Sequence, residues 1–385
     1  MFDLIFESNP NWSWETFILY YLVSVAVVTL CKNGVGTTNM INGNSHLLMH
    51  KRNDNYVLFF IAYLILVILA TIRSDKVGMD TWKYVEQFMY INQTLLDDFD
   101  WAQLLLFHQV EPLYLLFIVS VRSITDNYHV FFLCLYSLVA GAYILFIKYF
   151  LQKGMNCAFL KLFIVFFVGN MSGMRSALAM VPLLLSIIAL DKRQYKLAIS
   201  YNIAAIFCHY TMIYNLLIIV GVWIVRRFSF LQKKKWAILA FMVVLLISMF
   251  GTSSLIGIFA ETKYSFYTKD ASEMTFFGSM IYVILGLFLL KDFYRLNNNK
   301  YQQTLFYIVL LLLISYPFLY VTAAYRIPNY YALPRLIIWC TIIDGFHAKN
   351  NMSKEAVTLG SEIIVFAYML MRFHKTADEC FMYVI

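Results

Sequence analysis

The stretch from Tyr56 to Ile72, YVLFFIAYLILVILATI, carries no charged residue, and only two tyrosines and a threonine interrupt its apolar side chains. A helix rises about 1.5 Å per residue, so this run covers most of a hydrocarbon layer roughly 30 Å thick. A surface helix of a soluble protein would show a polar face, and a half-buried strand would alternate; this run does neither. Lipid offers the backbone no hydrogen-bonding partner, so such a run must satisfy itself as a helix. The runs 128–147, 236–259 and 304–324 read the same way. Extending the criterion along the chain predicts spans near 12–31, 56–72, 128–147, 158–170, 175–190, 197–225, 236–259, 276–290, 304–324, 328–343 and 359–373. The expectation is an all-α, polytopic membrane bundle of about 10–13 membrane segments, one or two of them short or re-entrant. No internal repeat or low-complexity linker divides it, so residues 1–385 read as one transmembrane domain, with 73–110 as a large non-cytoplasmic loop within it.

Composition agrees. Of 385 residues, 61% are hydrophobic and 14% charged, with a mean hydropathy of +0.69, whereas soluble domains are about a quarter charged. The net charge of +8 would suggest nucleic acid in a soluble protein. Here it sits in short loops between spans, where it reports topology and no nucleic-acid partner. Six cysteines stand singly with no CxxC spacing, which points to apolar packing and to neither a metal site nor a disulfide framework. Residues 1–15 carry Asp3, Glu7 and Glu15 and no Lys or Arg, unlike a cleaved signal peptide, so the first span is expected to be retained.

Arg226, Arg227, Lys233, Lys234 and Lys235 mark a cytoplasmic loop, and the groups around Lys32 and Lys51, Lys148 and Lys161, Lys192 and Lys196, and Lys291 and Lys300 agree with it. The acidic N-terminus and the loops 73–110 and 260–275 then face outward. Two places break simple alternation. Between Val110 and Lys148 lie two apolar stretches but room for one crossing, so the stretch opening at Glu111-Pro112 and interrupted by Arg122 reads as a short or re-entrant helix. The second is 197–225, with basic loops on both sides, which reads as a hairpin with its tip near His209-Tyr210. Irregular backbone at membrane depth is tolerated where it lines a protein-enclosed or wet cavity, so both irregularities point to a site.

Four groups carry candidate chemistry. The outer loop begins Arg73-Ser-Asp75-Lys76-Val-Gly78-Met-Asp80-Thr81-Trp82-Lys83-Tyr84 and runs through Asp97, Asp98 and Asp100 to Glu111. Its carboxylates can grip sugar hydroxyls or accept a proton, and its aromatic faces can stack on a pyranose; a solvated loop with interfacial aromatics is the plainer reading. Arg175, at the outer edge of an apolar helix, is costly unless it snorkels, pairs or faces water; facing outward, it can bind a phosphate or diphosphate bidentately. His209, between two apolar stretches, is either a packing residue or a group able to exchange a proton near neutral pH. Tyr325-Arg326-Ile-Pro328-Asn329-Tyr330-Tyr331-Ala-Leu-Pro334-Arg335 sets two arginines among tyrosines at an outer edge, with Arg335 expected about two turns inside the next span. Glu111, opening the short helix, is a further candidate or a favourable helix cap. No P-loop, HExxH, GxSxG or CxxC pattern occurs.

Taken in order, Gly78-x-Asp80-Thr81-x-x-Tyr84, Glu111-Pro112-Leu113-Tyr114, Arg175-x-x-x-Ala179, His209, and Arg326 with Tyr330 resemble the EpsG-like branch of the Wzy-type polymerases of bacterial O-antigen, capsule and exopolysaccharide. The resemblance runs from about Arg73 to Arg335. Two positions depart from the family pattern: Ser176 stands where Gln is expected after the arginine, which argues against a role there, and Thr211 stands where Ser is expected after the histidine, which keeps a hydroxyl.

The resemblance implies a glycosyltransferase of the bacterial cytoplasmic membrane that uses no nucleotide sugar. It would move a growing glycan from undecaprenyl diphosphate to a lipid-linked oligosaccharide repeat unit at the outer face. Arg175, Arg326 and Arg335 would hold the departing diphosphate. Asp80, ahead of Glu111 and His209, would take the proton from the acceptor hydroxyl. Arg73, Tyr84 and Tyr330 would line the substrate site. No cofactor and no metal are expected, because lipid diphosphate is itself a good leaving group. Expected partners are the lipid-linked oligosaccharide and the bilayer, with a chain-length regulator and a flippase of the same pathway as further candidates. The competing classes are a lipid-linked oligosaccharide flippase, which would show pseudo-symmetric halves, and another membrane transferase of surface-glycan assembly, such as an O-acyltransferase.

Overall fold

The computed structural model describes residues 12–40, 50–78, 80–91, 110–240, 286, 288–299, 302–321, 327–350 and 353–377. Among these, five helices are long and apolar enough to cross a membrane: α1 (Trp14–Gly34), α5 (Tyr128–Phe150), α7 (Met174–Asp191), the stretch Tyr210–Arg227 and α14 (Lys354–Lys375). The chain is a multi-pass, all-α membrane protein. The elements between them are α2 (Tyr56–Thr71), α3 (Thr81–Tyr90), α4 (Pro112–Arg122), α6 (Phe163–Ser172, led by a 3-10 turn at Phe159–Leu162), α8 (Tyr195–Cys208), α9 (Tyr214–Arg227, led by a 3-10 turn at Tyr210–Ile213), α10 (Phe293–Asn298), α11 (Gln303–Val321), α12 (Ile327–Tyr330) and α13 (Ala332–Asn350). The expected spans 236–259 and 276–290 lie largely outside the described residues. A short antiparallel pair, β1 (Thr38–Met40) and β2 (His50–Arg52), joins α1 to α2, and nothing in the hydropathy pattern announced it.

Short polar side chains set several helix starts. The side chains of Ser13, Asn55, Asn127 and Ser353 each accept a hydrogen bond from a backbone N–H in the first turn of α1, α2, α5 and α14, satisfying donors the helix leaves open. Of the five long helices, α5 and α7 are the most enclosed, with 61% of the span window buried against 28% for α14. They therefore form the centre of the bundle while α14 faces lipid.

Side-chain contacts sort the helix ends onto two faces. Lys148 at the end of α5 lies 3.8 Å from the Tyr56 ring at the start of α2, Arg226 at the end of α9 donates to the Leu190 carbonyl near the end of α7 at 2.7 Å, and Tyr149 donates to Asp191 at 2.9 Å. This is the face of the basic loops. On the opposite face His129 meets the Thr71 carbonyl at 2.9 Å, and the Thr81 hydroxyl lies 3.2 Å from the Met171 carbonyl.

Both irregular segments follow from this sorting. Because Arg226 and Leu190 share a face, the chain from Tyr195 to Arg227 leaves the basic face and returns to it, turning at His209, whose backbone is extended (φ −161°, ψ 113°). Helix α4 does not cross. Its cap residue Glu111 touches Arg175 at the start of α7, and its last residue, Arg122, stands only five residues before Asn127, the cap of α5 at the same face.

Candidate active site

Glu111 precedes Pro112, the first residue of α4. Proline at that position fits a helix start and pushes the residue before it into extended backbone, which is what Glu111 adopts (φ −66°, ψ 139°). Its carboxylate makes no cap bond to its own helix and instead reaches across to two other elements. One oxygen, Oε2, accepts from Arg175 Nη1 at 3.0 Å. The other, Oε1, accepts from His209 Nδ1 at 2.8 Å and from the Tyr210 backbone N–H at 3.4 Å.

The exposures of the three side chains are graded, at 3% for Glu111, 19% for His209 and 34% for Arg175. The carboxylate is thus sealed inside while its two partners present their other atoms outward. Burial pushes the Glu111 carboxyl up, but the His209 hydrogen bond and the Arg175 charge outweigh it and leave the group below its ordinary value. An ionised carboxylate can only accept, so Nδ1 of His209 carries the proton, and in the neutral ring the lone pair is left on Nε2.

Tyr84 of α3 borders the site, its ring 6.0 Å from the Arg175 guanidinium and edge-on to Tyr114 at 6.0 Å. Tyr330 is buried, with its ring edge-on to His209 at 6.5 Å and its hydroxyl 3.2 Å from the Thr211 hydroxyl. It backs His209 and offers no open face for a sugar. The hydroxyl kept at position 211 is thereby accounted for. Ser176 donates to the Gly173 carbonyl at 2.7 Å, a bond within the turn that opens α7.

Other expected site residues lie elsewhere. Asp80 sits just before α3, partly exposed and paired with Lys83 at 2.8 Å. Arg73, expected to bind substrate, is fully enclosed between the Phe132 and Tyr136 rings. Arg335 lies in the first turn of α13 and not two turns inside, with its guanidinium 5.7 Å from the Phe166 ring. Arg326, Asp97, Asp98 and Asp100 lie outside the described residues.

The sequence reading gave Tyr114 and Tyr136 no role. Tyr114 lay within the quoted Glu111-Pro112-Leu113-Tyr114 motif, one turn from the carboxylate. Tyr136 sits in an unbroken apolar run and carried no signal. Among the described residues no group of three or more His, Cys, Asp or Glu is arranged to hold a metal ion. The arrangement offers a partly exposed cationic fork, a ring nitrogen able to accept a proton, and a buried carboxylate that fixes both.

No curated protein matches the chain, and no solved structure does. The model of the EpsG family matches residues 56–384, most of the chain and all of this site. The chain belongs to the EpsG family, and with it to the membrane proteins of polysaccharide biosynthesis.

Proposed function

We propose that this protein polymerises oligosaccharide repeat units at the outer face of the bacterial cytoplasmic membrane. It would transfer a growing glycan from undecaprenyl diphosphate to a lipid-linked repeat unit, with no nucleotide sugar. The observation that carries this reading is the double grip of Glu111, which holds Arg175 and His209 on one outward-facing site.

In the step, the acceptor hydroxyl oxygen attacks the anomeric carbon of the sugar attached to the lipid diphosphate. The bond between that carbon and the diphosphate oxygen breaks, and its electron pair leaves with the diphosphate. Arg175 meets the growing negative charge with a planar, permanently charged fork. His209 Nε2 takes the hydroxyl proton and later releases it to solvent. Glu111 orients the ring and stabilises the imidazolium, the part a buried carboxylate plays in hydrolytic triads. This assignment moves the base from Asp80 to His209, because Asp80 is committed to Lys83 and has no contact with the arginine.

The test is complementation of a strain lacking this protein. Arg175→Ala and His209→Ala, at normal protein levels, are expected to leave single repeat units at the surface in place of long chains. Full-length surface glycan from both variants would overturn the site. Repeat units trapped inside the cell would overturn the reaction and indicate a flippase.

A further inference from the structure

Arg73 is an arginine with no carboxylate beside it among the described residues. Its side chain is fully buried, lies 4.7 Å from the centres of both the Phe132 and Tyr136 rings, and donates from Nη2 to the Tyr136 hydroxyl at 2.9 Å. Nε and Nη1 have no protein acceptor among the described residues. Removing a cation from water this completely is costly, and the two aromatic faces offset part of that cost.

What the arginine holds lies one bond further on. The Tyr136 hydroxyl approaches the Met171 carbonyl at 3.5 Å, and the Thr81 hydroxyl shares its single proton between the Val77 carbonyl at 2.6 Å and that same Met171 carbonyl at 3.2 Å. Met171 is in the last turn of α6, just before Gly173 breaks the helix (φ −116°, ψ 75°) and α7 starts with Met174 and Arg175. Thr81 is the first residue of α3, whose next turn carries Tyr84. Gly78, at φ +102°, lets the loop close here: a Cβ would lie 2.4 Å from the Thr81 hydroxyl and 3.1 Å from Ser172 Cα. The Met171 carbonyl is therefore a shared post for the two elements that flank the site, and Arg73 fixes it through Tyr136.

We infer that Arg73 and Tyr136 are positioning residues for Arg175: together they set the joint between α6 and α7 from which the Arg175 fork projects. The role in turnover rests on the polymerase reading; the geometric role does not. A cation away from the substrate can matter this much because a misplacement of about 1 Å in a catalytic group costs roughly a hundredfold in rate.

The experiment uses the full-length protein in proteoliposomes with three variants, Tyr136→Phe, Arg73→Lys and Arg175→Lys. Tyr136→Phe keeps both rings around Arg73 but removes the hydroxyl that accepts from it together with the relay to Met171; thermal melting verifies folding of each variant. The first readout is the rate at which phenylglyoxal modifies Arg175, followed by mass spectrometry, and it needs no assumption about activity. Tyr136→Phe and Arg73→Lys are expected to change that rate severalfold, and an unchanged rate in both folded variants overturns the inference. The second readout is chain extension, in which Tyr136→Phe is expected to lower kcat/KM for the lipid-linked donor about tenfold to a hundredfold. Its effect should be non-additive with Arg175→Lys; strict additivity would mean that Tyr136 acts apart from Arg175 and would overturn the role in turnover. Should the unaltered protein fail to extend chains, the polymerase reading falls while the labelling result still stands; should Arg175→Lys extend chains as well as the unaltered protein, the role of Arg175 in turnover falls.

Discussion

Glu111 and His209, 98 residues apart in the chain, are joined by a 2.8 Å hydrogen bond whose acceptor is almost wholly enclosed. That bond fixes both the tilt of the imidazole and the nitrogen that bears the proton. Glu111→Gln keeps the shape but offers only one acceptor oxygen to three donors, so Arg175 or His209 must face an amide NH2. Chain extension by purified Glu111→Gln is expected to fall about a hundredfold or more, in the range of a lost general base. His209→Gln should fall by a similar factor, and the double variant should be no worse than the weaker single one, since the two act as a unit. Initial rates on reconstituted protein measure this, and multiplicative losses would show that the residues work separately.

Asp80 provides the contrast. It lies one turn before Tyr84, just ahead of the same helix, yet its carboxylate turns toward Lys83 at the solvent rim. Exposed pairs of this kind contribute little to stability. Asp80→Asn is therefore expected to lower the extension rate less than tenfold and to leave its pH profile unmoved. A loss as deep as that of His209→Gln would return the role of base to Asp80.

How much of this was legible without coordinates depends on the distance over which each feature is decided. The Tyr56 to Ile72 run identifies itself, since lipid demands an apolar exterior and an internally satisfied backbone from each segment alone. The turn at His209 and the short α4 were legible too, because basic residues on both flanks, or a Glu-Pro start and an Arg at the far end, are local marks of a chain that does not cross simply. The convergence of Glu111 on Arg175 and His209 was not. It spans 64 and 98 residues and depends on how α4, α7 and the α8–α9 turn pack. Arg73 was misread for the same reason: the rings that enclose it belong to α5, and nothing next to Arg73 in sequence distinguishes an arginine under aromatic cover from one facing a substrate.

The path of the α8–α9 hairpin predicts which side each end sees. Tyr210 is exposed at the outer turn, whereas Arg227 ends α9 on the face where Arg226 reaches Leu190. In a cysteine-free background, Tyr210→Cys is expected to react with a membrane-impermeant maleimide in intact cells, and Arg227→Cys only after permeabilisation. Labelling of both from outside would require the segment to cross once, and the fold of this region would have to be redrawn.

The depressed Glu111 carboxyl makes a prediction about acid stability. Its proton is held off in the folded protein mainly by the His209 hydrogen bond and the Arg175 charge, against the opposing effect of burial. A carboxyl whose folded pKa lies below its unfolded one stabilises the fold fully above the unfolded value, about 4.3, and loses that contribution as pH falls through the folded value. The melting temperature of the unaltered protein in detergent should therefore exceed that of Glu111→Gln near pH 5, and the gap should shrink as pH falls below about 4.3. Other carboxylates titrate in the same window, so the difference between the two proteins is the measured quantity. A gap that widened in acid would mean that Glu111 is held protonated in the fold, which would reverse its part in the site: it would then donate to His209, and the free lone pair on Nε2 would no longer follow.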